Sequence, residues 1–189
     1  MKRQISISEY RTIDLGILAA AMALVQVLIH FAASRWFRDQ LYVVSPVALV
    51  VALVMMRWNG YAAIHALLGG LLYCILAKGS WQHMLIYGGG NSFALLALLL
   101  FKFPGKEIIR QNVVYSIAFA AIVQALMLLG RAAIAALLNF EAAVCLGFIT
   151  TDVLSVLLTV CGIWATRRMD GLFEDQLQYL LRVQREQNR

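Results

Sequence analysis

One stretch limits what this chain can become more than any other: Ala142 to Thr166, a long apolar run with Asp152 near its middle. A carboxylate at bilayer depth costs about 2.5–3.5 kcal/mol on insertion scales, so it needs a polar partner, a water-filled cavity or a proton. On a helix, Asp152 shares a face with Ser155 and Thr159, with Thr150 and Thr151 flanking it. That polar stripe reads either as one wall of a site open toward the outer half of the membrane or as a structural hydrogen-bonded network. Either way, the rest of the chain has to supply its surroundings.

Such a run implies a membrane, and composition agrees. Of 189 residues 62% are hydrophobic and 14% charged, against about a quarter charged in soluble domains. The expectation is one helical bundle (1–168) followed by a short tail (169–189), with no separate catalytic domain. Five more apolar runs qualify as spans: Ile13 to Ala33, Leu41 to Met56, Gly60 to Ala77, Met84 to Phe101 and Asn112 to Leu138. Within the first, the run Leu15 to Ala33 is longer than a signal-peptide core and follows Glu9 and Asp14, so it reads as a retained span. At about 1.5 Å per residue the second is short for a bilayer core of about 30 Å, and the fifth is long enough to be tilted or broken. Ser45 and Pro46 look like an N-cap and first-turn proline, leaving Leu41 to Val44 at the interface. Phe103, Pro104 and Gly105 read as a turn.

Orientation follows from the cations. Six spans with both termini inside put Lys2, Arg3, Arg11, Arg57, Lys102, Lys106, Arg110, Arg167, Arg168, Arg182, Arg185 and Arg189 in the cytoplasm and Arg35, Arg38, Lys78 and Arg131 outside. That is twelve against four, as the positive-inside rule requires. Trp36 and Trp81 then fall at the outer interface and Trp58 and Trp164 at the inner one. The net charge of +6 is spread over span ends and forms no continuous patch, so nucleic acid is not an expected partner. Cys74, Cys145 and Cys161 lie inside apolar runs and read as small hydrophobes. Beyond Arg168, Phe173, Leu177, Leu180 and Leu181 recur at helical spacing, predicting a cytoplasmic amphipathic helix that meets membrane or protein.

The polar residues inside the spans are lopsided. Asn91, Gln124, Arg131, Asn139, Glu141 and Asp152 all fall between the midplane and the outer face. Arg131 has three readings: it snorkels outward, it pairs with Asp152 or Glu141, or it holds an anionic group of a solute. Tyr87 and Asn91 flank Gly88, Gly89 and Gly90 one turn apart. Glycines there allow close backbone approach, and aromatic with amide groups suit a small ring-bearing solute; the alternative is a helix start or kink. Gln26 and His30 read as packing residues, and neither His65 nor His83 is placed to join them as a metal site. Gly16, Ala19, Ala20 and Ala23 give the first span a small-residue face for close helix approach, within the bundle or onto a partner. Ala62, Ala66 and Gly70 make a similar row. The nucleotide-binding GxxxxGK[ST] loop, HExxH and GxSG are missing, and His65 and Ser92 fall on opposite sides of the bilayer, so no enzyme and no cofactor is expected.

Six short spans, inside termini, the face Gly16, Ala19, Ala20 and Ala23, and polar groups in the outer parts of spans four to six resemble the substrate-binding S components of energy-coupling factor transporters. The resemblance implies a bundle that captures a vitamin-like micronutrient from outside. It implies docking through the helix-one face on a coupling membrane subunit driven by two cytoplasmic ATPases, and toppling to deliver the cargo. The pocket it implies maps onto Trp36, Trp81, His83, Tyr87, Asn91, Gln124, Arg131, Asn139 and Asp152. Met1, Lys2, Arg3 and Gln4 do not match the histidine motif of the nickel and cobalt members. Two other readings stay open: a scaffold that recruits a partner through its C-terminal helix, and a small transporter with Asp152 as proton carrier.

Overall fold

Every regular element is helical in the residues described by the computed structural model, 6–36 and 44–187. The expectations for Met1 to Gln4, Arg38, Leu41 to Val43 and Arg189 lie outside the described residues. Five stretches are long and apolar enough to cross a membrane: Ile7–Trp36 (α1), Val47–Leu76, Trp81–Phe101, Val113–Leu137 and Ala142–Thr166.

The second stretch is not straight. It comprises α2 (Val47–Trp58), a 3-10 turn Asn59–Tyr61 and α3 (Ala62–Leu76), and Asn59 takes φ 55° and ψ −124°. Residues 22 apart on one helix would be separated by about 33 Å. Instead, a Cβ added to Gly69 would lie 2.6 Å from Cγ2 of Val47. The two helices are antiparallel arms that meet closely at Gly69, while Gly70, buried on α3 like Ala62 and Ala66, lies against the backbone of Tyr87 and Gly88. The row seen in the sequence thus packs inside the bundle. Every residue of α2 except Leu49 is buried, because a helix apolar all round belongs at the centre, where α1, α3, α6 (Val113–Leu137) and α8 (Val153–Thr166) surround it. Its 12 residues reach only about 18 Å.

Trp81–Phe101 starts with the short α4 (Trp81–Met84), widens into a π segment Leu85–Gly89 and tightens into a 3-10 segment Ser92–Phe101. Between them Gly90 meets Gly130 of α6. A Cβ on Gly130 would collide with the Gly90 carbonyl oxygen, and one on Gly90 would sit 2.7 Å from Cα of Arg131. Backbone therefore touches backbone at this crossing, which only glycine permits. After α5 (Lys106–Gln111), α6 starts at Asn112, whose side chain accepts the N–H groups of Val114 (2.9 Å) and Tyr115 (3.4 Å). Of the two expectations for this long helix, tilted or broken, the break is absent: α6 runs unbroken for 25 residues. The interruption falls in the last stretch, where α7 (Ala142–Thr150) gives way to α8 through Thr151 and Asp152.

The N-terminal start and the C-terminal segment meet at one end of the bundle. Tyr10 donates to Gln176 Oε1 at 3.0 Å. Asp14 accepts from Arg57 Nε (2.9 Å), Arg57 Nη2 (2.6 Å) and Trp58 Nε1 (2.6 Å), while Arg57 Nη1 reaches the carbonyls of Gly171 (2.6 Å) and Leu172 (3.1 Å). Lys106 bridges Asp175 (2.7 Å) and the Met56 carbonyl (3.0 Å), and Arg110 bridges Glu174 (2.9 Å). Phe173, 2% exposed, packs with Phe119 in the apolar core. The segment after Arg168 is thus strapped to the bundle before α9 (Gln176–Gln187) leaves with Leu177 and Leu181 exposed.

Filling the glycine crossing tests this packing. Gly130→Val should lower stability by about 1–3 kcal/mol, the usual cost of overpacking, read as a lower melting temperature in detergent. Gly16→Ala, where an added Cβ meets nothing within 4 Å, should leave it unchanged.

Candidate functional site

Gln124 and Arg131, two turns apart on α6, face the helix break that carries Asp152 and the α8 residues Ser155 and Thr159. Arg131 Nη1 donates to Asp152 Oδ2 at 2.7 Å, with side chains only 5% and 2% exposed. Arg131 Nε donates to Asn91 Oδ1 at 2.8 Å, and Asn91 Nδ2 to the Ala66 carbonyl at 3.2 Å. Gln124 Nε2 donates to Asp152 Oδ2 at 3.3 Å and its Oε1 accepts from Thr159 at 3.2 Å. The Ser45 amide donates to Ser155 Oγ at 2.8 Å. Of the three readings of Arg131, pairing with Asp152 is what the structure holds. Thr150 and Thr151 instead bond back to the carbonyls of Leu146 and Gly147 within α7.

Position at the break matters. Asp152 occupies the N-cap position of α8 but makes no capping bond; its carboxylate turns to Arg131. Charge is thereby balanced inside the bundle, since burying a lone carboxylate or guanidinium would cost far more than burying the pair. The packing is tight. Around Ser45, Gly70, Tyr73, Tyr87, Asn91 and Arg131 no space remains for a water-sized sphere. Asp152 Oδ1 is buried without a hydrogen-bond partner among the described residues.

Beside this network lies open space. A hollow of about 370 Å³ is lined by Tyr73, Lys78, Ser80, His83, Tyr87 and Phe148, among others. Tyr87 borders both: its ring packs against Tyr73 (centroids 4.5 Å) and edge-on to Phe148 (5.6 Å), and the Arg131 guanidinium sits 4.8 Å from its centroid. Ser80 Oγ and His83 Nδ1 are hydrogen-bonded at 2.8 Å. The α2–α3 turn lies beside Asp14 at the strapped end, and α3 runs away from it. The hollow is therefore at the opposite end of the bundle from the chain's start and its C-terminal strap.

The residues singled out from the sequence thus divide three ways. Asn91, Gln124, Arg131 and Asp152 form the buried network; His83 and Tyr87 line the hollow. Trp36 and Trp81 are 75% and 64% exposed, and neither lines it. Asn139 is also exposed; with φ 60° it closes the C-terminus of α6 through its amide and the Ala136 carbonyl, a backbone role. On α1, Gly16 and Ala20 are exposed whereas Ala19 and Ala23 turn partly inward beside Met22 and Gln26. Gln26 donates to the Gly69 carbonyl (3.3 Å) and His65 Nε2 contacts the Leu15 carbonyl (3.1 Å), both as packing groups. Tyr73, Lys78 and Phe148 were not singled out. Phe148 stands one turn before Asp152, which is the one sequence signal for it.

Comparison with known protein families, characterised proteins and solved structures finds no match to this chain.

Breaking the ion pair is expected to be costly and its joint removal cheaper. Asp152→Ala should destabilise by about 3–5 kcal/mol, because it strands Arg131, and Asp152→Ala with Arg131→Met should recover part of that loss. A double-mutant cycle on melting in detergent measures the coupling; additive losses would mean that the two groups do not act as a pair.

Proposed function

We propose that this chain is a membrane-embedded solute-binding subunit of an ATP-driven micronutrient importer. The observation that carries the reading is the hollow beside Tyr73, Tyr87 and Phe148, at the end away from the strapped base. Its volume of about 370 Å³ falls within the range of about 300–1,000 Å³ typical of small-molecule sites, and its aromatic walls with a few polar groups match their usual lining.

In the proposed topology α1, α2, α3, Trp81–Phe101, α6 and α7–α8 pass the membrane in turn, six passes in all. The antiparallel α2–α3 pair and the meeting of Tyr10 with Gln176 support an even number. Arg57, Lys106, Arg110 and Arg167 cluster at the strapped end, which supports a cytoplasmic base and an outward-facing hollow. A binder of this size with no nucleotide-binding loop takes its energy from partners. The exposed side of α1 around Gly16 and Ala20, where nothing fills the space beside the glycine, is the face offered to a coupling membrane subunit with its two ATPases. The scaffold reading has one observation in its favour, Leu177 and Leu181 exposed one turn apart on α9.

Two measurements test this. Native mass spectrometry of the gently purified protein should find a bound small molecule, and Tyr87→Ala should lose it while the protein still purifies folded. In cells Ala20→Trp should stop uptake of that solute with binding in detergent intact. A protein that never carries a solute, in which deletion of 176–189 alone abolishes function, would belong to the scaffold reading.

A further inference from the structure

The hollow has a charge character as well as a shape. None of the described residues that line it is an aspartate or glutamate. Among the described residues, two cationic groups stand near, and they are not equivalent. Arg131 lies beneath Tyr87 with its charge answered by Asp152 at 2.7 Å, so it presents no free positive charge to a ligand. Lys78 lines the hollow directly, is exposed, and pairs with no carboxylate among the described residues. An uncompensated ammonium beside aromatic walls attracts an anion.

Lys78 is also held in an unusual backbone conformation. Its φ is 52°, the left-handed region that glycine or asparagine occupies more readily. The turn is pinned on both sides, by Lys78 N to the Ile75 carbonyl (3.2 Å) and Gly79 N to the Cys74 carbonyl (2.8 Å). The strained position is therefore occupied by a lysine while the glycine follows it. Capping the helix needs no lysine there, which leaves its ammonium as the feature to be explained.

The ring side is equally specific. Tyr73, Tyr87 and Phe148 present aromatic surface at mutual centroid distances of 4.5 and 5.6 Å. Such walls favour a flat π-system by stacking and edge contacts.

We propose that the hollow takes a planar aromatic anion, an aryl carboxylate by chemical class, with its ring against Tyr73, Tyr87 and Phe148 and its carboxylate at Lys78. This rests on the reading of the chain as a solute-binding subunit. It assigns anion recognition to Lys78 and withdraws it from Arg131, whose charge is already used.

The test is a thermal-shift titration of the full-length protein in detergent with four probes: benzoate, benzamide, benzamidine and cyclohexanecarboxylate. A ligand that binds the folded state raises the melting temperature according to its affinity. Benzoate should bind about tenfold more tightly than the neutral amide, the flat cation or the saturated anion, as expected for one charge-assisted contact. Lys78→Gln should erase the preference for benzoate over benzamide, and Lys78→Arg should retain it. Equal or tighter binding of benzamide or benzamidine overturns the anion, and equal binding of cyclohexanecarboxylate overturns the aromatic ring. Benzoate binding unchanged in Lys78→Gln overturns the assignment of the lysine. Binding of none of the four overturns the inference, and a neutral or cationic solute then found on the purified protein by native mass spectrometry would leave the solute-binding reading standing.

Discussion

The ion pair between Arg131 and Asp152 is the constraint around which the helices are arranged. Neither charge is tolerable alone at this depth, and their attraction is useful only when the geometry is good, because desolvation takes back most of the Coulomb energy. Two irregularities make the geometry good. The interruption at Thr151 and Asp152 frees the carboxylate from a regular helical direction, and the Gly90–Gly130 contact brings α6 close enough for Arg131 to reach Asn91 as well. Asn91 and Gln124 then hold the pair from two sides, and Thr159 orients Gln124 in turn. Apolar substitutes of similar volume for buried ion pairs often cost no stability, so the pair is better understood as fixing which helices meet and in what register.

This arrangement was partly legible in the sequence. A carboxylate inside 25 apolar residues needed a partner, a cavity or a proton, and pairing with Arg131 was one of the readings open to both; the helical spacing also placed Ser155 and Thr159 on its face. The position of the helix break was not legible, since no proline or glycine marks Thr151 or Asp152 and length suggested only that α6 would be tilted or broken. Nor was the central place of α2. An apolar sequence looks the same whether lipid or protein surrounds it, so Leu41 to Met56 read as one more short span, whereas α2, which overlaps it, is the element the others enclose.

The hollow was hidden for a different reason. It is assembled from the end of α3, the turn after it, α4, the π segment and α7, and no spacing rule connects Tyr73, Lys78, His83 and Phe148. Conversely, Trp36, Trp81 and Asn139 have the amphipathic or turn-forming character of residues at helix ends, and character alone did not separate that role from contact with a solute. Phe173 misled in the opposite direction: within an amphipathic pattern it read as part of a surface helix, whereas it is the plug that fastens the strap to Phe119.

The fastening at Asp14, Arg57 and Phe173 has a mechanical corollary. At one level the polar network ties α3, α6 and α8 together, and at the other the strap joins the start of α1, the α2–α3 turn and α5. Between those two levels runs a helix enclosed on every side. Sliding α6 and α8 past α3 would break the contacts of Arg131 with Asp152 and Asn91, and sliding the start of α1 past α2 would break those of Asp14 with Arg57 and Trp58.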